Sequence, residues 1–275
     1  MENQMTWQQV SKRRQIMNMA VTDTHTFLVG QKGIFVSDSR GQKWKNHLKD
    51  VWFNHVWAQG NEVYAGACGA LYYSSDSGKT WDVVRRKKHK WFGPFGGAGA
   101  LRFHGMSGAR NLFRQHPDNP KKWDKLSCPT GIQTIHVVGS QVWVGGRNGL
   151  VARSDDSGAS WERRDPPYKT EYASMHIDDE QNIYIAGLTG EVRRSTDGGH
   201  SWCALDVYGR QIWGAGQEIY VLHEQTDTTV LHCSSDGGNS WTKHIEFPHL
   251  MRFLAGSSEQ NIWVANYDGV VLHNG

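Results

Sequence analysis

Apolar residues in this chain come in short runs of up to four, and none is long or spaced like a helix. The stretch 183–186 (Ile-Tyr-Ile-Ala) is one such run, 262–265 (Ile-Trp-Val-Ala) a second and 142–144 (Val-Trp-Val) a third. Glycine, serine, aspartate and asparagine separate them, which predicts short strands joined by tight turns. The segment from Trp161 to Trp202 shows the grammar of one unit. A polar, proline-bearing stretch leads into 172–177, an acidic turn follows at 178–182, then the run 183–186. A turn at 187–190 leads into 191–195. With a fourth strand starting after the tryptophan, this makes a four-stranded antiparallel unit.

The unit repeats. The phrase Ser-x-Asp-x-Gly-x-x-Trp occurs with Ser74, Asp76, Gly78 and Trp81, and again with Ser154, Asp156, Gly158 and Trp161. It returns with Ser195, Asp197, Gly199 and Trp202, and with Ser234, Asp236, Gly238 and Trp241. Two eroded copies end at Trp44 and Trp123, and Trp7 has no box before it. Successive tryptophans lie 37 to 42 residues apart. Four strands at a period near 40 residues predict a β-propeller blade. The expectation is therefore an all-β, seven-bladed β-propeller of four-stranded antiparallel blades forming one domain over residues 1–275. Residues 5–10 are expected to supply the missing fourth strand of the last blade, closing the ring and hiding two sheet edges.

These boxes resemble the Asp-box, or bacterial neuraminidase (BNR), repeat of sialidases, sortilin-type receptors and photosystem II assembly-factor propellers. The stretch from Val142 to Trp161 looks most like the assembly-factor type. The resemblance implies boxes on the turn between third and fourth strands, opposite the usual binding face. It also implies a scaffold or protein-binding role, because fold alone does not assign function. Asp76, Asp156, Asp197 and Asp236 with Trp81, Trp161, Trp202 and Trp241 are read as structural. The aspartate caps its own turn, the glycine takes a positive φ, and the tryptophan fills the gap between sheets.

Composition changes the picture little until the charges are sorted by position. Charged residues are 21% and hydrophobic ones 38%, excluding a disordered chain and a membrane protein. The four cysteines form no C-x-x-C pair, and no signal peptide is visible at the start, which suits a cytoplasmic location. The formal net charge is +3. In a propeller the connections from fourth to first and from second to third strands share one face. That face collects Lys12, Arg13 and Arg14 and the run Arg85, Arg86, Lys87, Lys88 and Lys90. The opposite face collects Asp23, Glu62, Asp178, Asp179, Glu180, Glu218 and Glu259. Such segregation attracts anionic partners to the basic side.

The expected binding face therefore comprises Arg13, Arg14, Arg85, Arg86, Lys87, Lys88 and Lys90, with Arg210 and Arg252 at later strand starts and Trp91 and Phe92 as apolar anchors. The expected function is a non-enzymatic binding or scaffold propeller engaging an acidic protein partner. The alternatives are a glycan-binding or glycoside-hydrolase-like protein acting on an anionic sugar, and a nucleic-acid-binding protein. The sequence names no catalytic set and leaves catalysis open, and no membrane contact or cofactor is expected. His55, His136 and His176 each precede an apolar residue in a first strand and are candidate metal ligands at one height. The favoured expectation is that each is satisfied locally and that no metal binds.

Overall fold

The computed structural model describes residues 7–12, 15–38, 40–106, 109–129 and 131–274. Strand β1 spans Trp7–Lys12. Sheet I contains β2 (Ile16–Val21), β3 (Thr26–Gly30), β4 (Gly33–Ser37) and β5 (Lys45–His47). Sheet II contains β6 (Phe53–Gln59), β7 (Glu62–Ser74), β8 (Asp82–Ala98), β9 (Leu101–Met106), β10 (Asn111–His116) and β11 (Asn119–Ser127). Sheet III contains β12 (Ile132–Val138), β13 (Gln141–Gly146), β14 (Val151–Ser154) and β15 (Glu162–Arg163). Sheet IV contains β16 (Tyr172–Ile177), β17 (Ile183–Gly187), β18 (Glu191–Ser195) and β19 (Cys203–Tyr208). Sheet V contains β20 (Gln211–Ala215), β21 (Glu218–Glu224), β22 (Thr229–Ser234) and β23 (Thr242–Phe247). Sheet VI joins β24 (Phe253–Ser258), β25 (Asn261–Ala265) and β26 (Val270–Asn274) to β1.

The all-β propeller class holds, but the expectation of seven four-stranded blades does not: the strands form six sheets. The difference arises at one place. Strand β8 runs without a break through the segment expected to be a loop, and sheet II is six-stranded. Its first half pairs with β7, as Asp82 opposite Tyr73 and Arg86 opposite Ala70. Its second half pairs with β9, as Phe95 opposite His104 and Ala98 opposite Leu101. The two repeat units ending at Trp81 and Trp123 are therefore one hydrogen-bonded sheet. Within it, β7 doubles back on itself. The Tyr64 and Tyr73 rings lie 4.8 Å apart, and Tyr73 OH donates to Glu62 Oε1 at 2.9 Å. Thirteen extended residues would otherwise span about 40 Å, and Gly69 (φ 86°) stands at the reversal.

The innermost strands touch around the whole ring, from β2 through β6 and β8 of sheet II to β12, β16, β20 and β24 and back to β2. Burial is greatest at the second strands and falls towards the outer edge. Strands β3 and β17 are buried throughout, because neighbouring sheets cover both faces, whereas β15 is exposed. The core is a series of inter-sheet clusters. Phe27, Val29, Phe53 and Val56 pack between sheets I and II, and Trp143, Tyr172, Met175 and Ile185 between III and IV. Each repeat tryptophan packs against one such cluster: Trp81 on the first, Trp202 on the second, Trp241 between IV and V, and Trp7 between V and VI.

The closing strand is present over Trp7–Lys12, and residues 5 and 6 of the expected span lie outside the described residues. Trp7 pairs with Asn274, Gln8 with His273 and Gln9 with Leu272. No helix among the described residues is long and apolar enough to cross a membrane.

Candidate functional site: a basic and aromatic rim

Because consecutive strands run antiparallel, connections from second to third and from fourth to first strands emerge at one end of the ring, here called the upper end. Among the described residues, five large hydrophobic side chains are prominently exposed: Trp52, Tyr168, Leu188, Tyr208 and Tyr267. All five belong to upper-end connections or strand ends. A monomer's exposed apolar residues are normally scattered, so their confinement to one end marks that end for contact.

The strongest concentration lies on sheet II. Arg86 is opposite Ala70 and Trp91 opposite Cys68, so Lys87, Lys88, His89 and Lys90 are extra residues facing Gly69. They form a bulge that leaves the pairing and rejoins it, with His89 in the left-handed region (φ 58°). Bulges of this kind re-aim side chains away from the sheet. Arg86, Lys87, Lys88 and Lys90 are exposed and have no ion-pair partner among the described residues. Beside them the half-buried Trp91 meets Trp52 edge-on, with ring centroids 5.2 Å apart. Trp52 is 46% exposed and comes from the β5–β6 connection. Its role was hidden in the sequence, where only its loop position and size could have flagged it.

Several expected binding residues are placed otherwise. Phe92 is fully buried, packed with Tyr64, Leu71 and Met106, and presents no ring to a partner. Arg85 is folded inward: its guanidinium lies 3.7 Å from the centre of the Phe113 ring, and Nη1 is 3.0 Å from His104 Nε2. Burial lowers its pKa. Alternation along a strand explains this, since Arg85 and Arg86 point to opposite faces. Arg210 and Arg252 share Glu224, the former at 3.8 Å and the latter in a closer contact, so one carboxylate offsets one of their two charges. Arg13 and Arg14 lie outside the described residues.

The three candidate histidines do not come together. His136 lies opposite Trp143 and His176 opposite Tyr184, one register in two sheets, with ring centroids 6.1 Å apart. His55 lies opposite Gly66, two residues nearer the upper end, and Trp57 occupies the level of the other two. A Cβ at Gly93 would meet the His55 ring, and one at Gly214 the His176 ring, so these imidazoles fill space left by glycines of the next first strand. No group of three or more potential metal ligands exists among the described residues. Burial holds His55 and His176 down to about 4 and His136 to about 3.

At the lower end the box turns satisfy themselves. Ser154 Oγ donates to Asp156 Oδ1 at 2.7 Å and accepts from Gly158 N at 2.7 Å. Ser160 N and Oγ donate to the same carboxylate at 2.8 and 2.6 Å. Asp76, Asp197 and Asp236 are held the same way by Thr80, Ser201 and Ser240. These hydrogen bonds lower all four carboxyl pKa values, with Asp156 brought to about 2. Trp81 Nε1 donates to Gly78 O at 2.9 Å. Gly78 adopts φ 82°, and a Cβ there would press on Phe27 and Val36 at 3.1 Å. Ser154 is buried, so Ser154→Ala strands the Gly158 N–H. It is expected to cost about 1–3 kcal/mol, read from urea unfolding. Of the acidic residues at this end, Glu62 is paired with Arg102.

A closed ring of antiparallel sheets defines the protein as a β-propeller. No protein-family model matches the chain, and no curated protein matches it. Solved structures do. "YCF48 bound to D1 peptide" superimposes with a TM-score of 0.76 at 16% identity, over 100% of this chain and 97% of that one. A chain of "Crystal Structure of Mitotic Checkpoint Complex" matches with a TM-score of 0.78 at 10% identity, covering 98% and 91%. Virginiamycin B lyase from Staphylococcus aureus matches at 0.77 and 13% identity, covering 98% of each. A peptide-bound protein, a complex subunit and a lyase thus share the architecture, and the fold alone does not choose among their activities.

Proposed function

We propose that this propeller is a non-enzymatic binding scaffold that captures an acidic protein segment on the upper end of sheet II. The observation that carries this reading is the bulge: Arg86, Lys87, Lys88 and Lys90, exposed and unpaired, next to the Trp52–Trp91 pair. Four unpaired cations concentrate acidic chains. Two tryptophans at the edge of that patch supply the apolar anchor that protein interfaces favour. The peptide bound in the YCF48 structure and the multiprotein setting of the checkpoint propeller support a protein ligand. The lower-end boxes serve structure, since their carboxylates are consumed by their own turns.

The test is fluorescence anisotropy with a labelled acidic peptide carrying one tryptophan. Affinity for the wild type is expected to fall as salt rises, and K87E/K88E/K90E to weaken binding at least about tenfold, equivalent to about 1.4 kcal/mol. Trp52→Ala should weaken it without altering the salt dependence. Cys68, exposed and opposite Trp91, should alkylate more slowly when peptide is bound. Equal affinity of wild type and triple variant would sink the proposal, as would tighter binding of a single-stranded oligonucleotide than of the peptide.

A further inference from the structure

A second site lies on sheet IV, separated from the basic bulge by sheet III. A cleft of about 280 Å³ opens there, bordered by Tyr168, Thr189, Glu191, Arg193 and Tyr208. Tyr168 comes from the β15–β16 connection, Thr189 from the β17–β18 turn, and Tyr208 ends β19. The two tyrosines are 47% and 60% exposed. The Arg193 guanidinium lies 5.6 Å from the centre of the Tyr168 ring. Glu191 and Arg193 are partly exposed and line the cleft, where Glu191 Oε2 accepts from the Thr189 hydroxyl.

The chemistry of the lining narrows the ligand. An anion gains little, because the Glu191 carboxylate stands beside the single arginine. A metal finds one carboxylate only. A purely apolar ligand would strip water from the exposed parts of the Glu191 carboxylate and the Arg193 guanidinium without replacing its hydrogen bonds, which is costly. A neutral sugar ring fits each feature. Its hydroxyls donate and accept, so they can serve Glu191, Arg193 and Thr189 together, while its C–H face lies against a tyrosine. The volume sits just below the roughly 300–1,000 Å³ of sites that enclose drug-sized molecules, a size suited to one ring. We infer that this cleft binds a neutral hexose unit, stacked on Tyr208 or Tyr168 and held by Glu191 and Arg193.

Saturation-transfer NMR on the full chain with the methyl glycosides of glucose, galactose and mannose tests this. At least one is expected to receive saturation from the wild type, and Tyr208→Ala or Tyr168→Ala to abolish the transfer while leaving the melting temperature unchanged. Both tyrosines are exposed, so these variants fold. The K87E/K88E/K90E variant should keep the sugar signal, which separates this site from the peptide-binding one. The inference is overturned if no glycoside receives saturation, if both tyrosine variants bind like the wild type, or if glucose 6-phosphate binds more tightly than the neutral glycosides.

Discussion

Removing residues 1–12 is expected to lower the melting temperature by about 10 °C or more and to make the protein prone to self-association. Strand β1 is the outer strand of sheet VI, though it belongs to the opposite end of the chain. Its backbone pairs with β26 from Trp7 to Lys12, so its loss bares the polar edge of β26. Trp7 also meets Phe247 edge-on at 5.2 Å and packs against the cluster between sheets V and VI. A large aromatic removed from such a site costs about 3–5 kcal/mol, and the lost pairing adds to that. For a chain of this size each kcal/mol moves the midpoint by roughly 2–4 °C, and a bare edge invites pairing with another chain. Calorimetry with light scattering checks both parts. A truncated protein melting within a degree or two of the full chain would show that β1 contributes nothing to closure.

That closure was legible because it follows from counting. Trp7 stands without a box, the last unit lacks a fourth strand, and only the two ends of the chain can complete each other. The features that escaped the sequence share a different cause. The run from Arg85 to Lys90 has no hydrophobic period, and charged residues without a period suggest a loop. The backbone does not need apolar side chains to keep its pairing, so β8 carries the run as a bulge and fuses two expected blades into sheet II. Strand alternation across that run decides that Arg85 turns in and Arg86 out, and no charge count contains it. The histidines failed through register. Each was placed by the apolar residue after it, but Val56 is level with Ile135 and Met175, not with Val137 and Ile177. Trp52 and the sheet IV cleft depend on contacts between connections far apart in the chain, which no local pattern encodes.

Stability should fall as pH drops from 6.5 towards 4, well before the box carboxylates titrate, and His104 should dominate the fall. His104 is fully buried among Phe92, Phe113 and Trp123, with rings 5.4, 4.9 and 4.7 Å away. Burial, reinforced by the charge of Arg85, holds it down to about 3. His55, His136 and His176 are shifted the same way but only half-buried by exposed area, so their contributions are smaller. The folded state keeps these rings neutral while the unfolded chain protonates them at its ordinary value near 6.5. The unfolded state therefore binds more protons below pH 6.5, and stability declines with acid until the folded values are reached. For His104 alone the loss by pH 5 is about 2 kcal/mol. The box aspartates have lowered values, so the stability they supply is present above about pH 4 and lost only below it, as a separate later phase. Urea unfolding across pH 8 to 4.5, with His104→Phe alongside, resolves the two. The variant is expected to be less stable at neutral pH, having lost the Arg85 and Gly105 hydrogen bonds. Its curve should nevertheless be flatter by close to one proton between pH 6.5 and 5. If wild type and variant have the same slope there, His104 is not the group that titrates, and the acid sensitivity belongs to the buried His273, held down to about 4, and to the half-buried rings of the first strands.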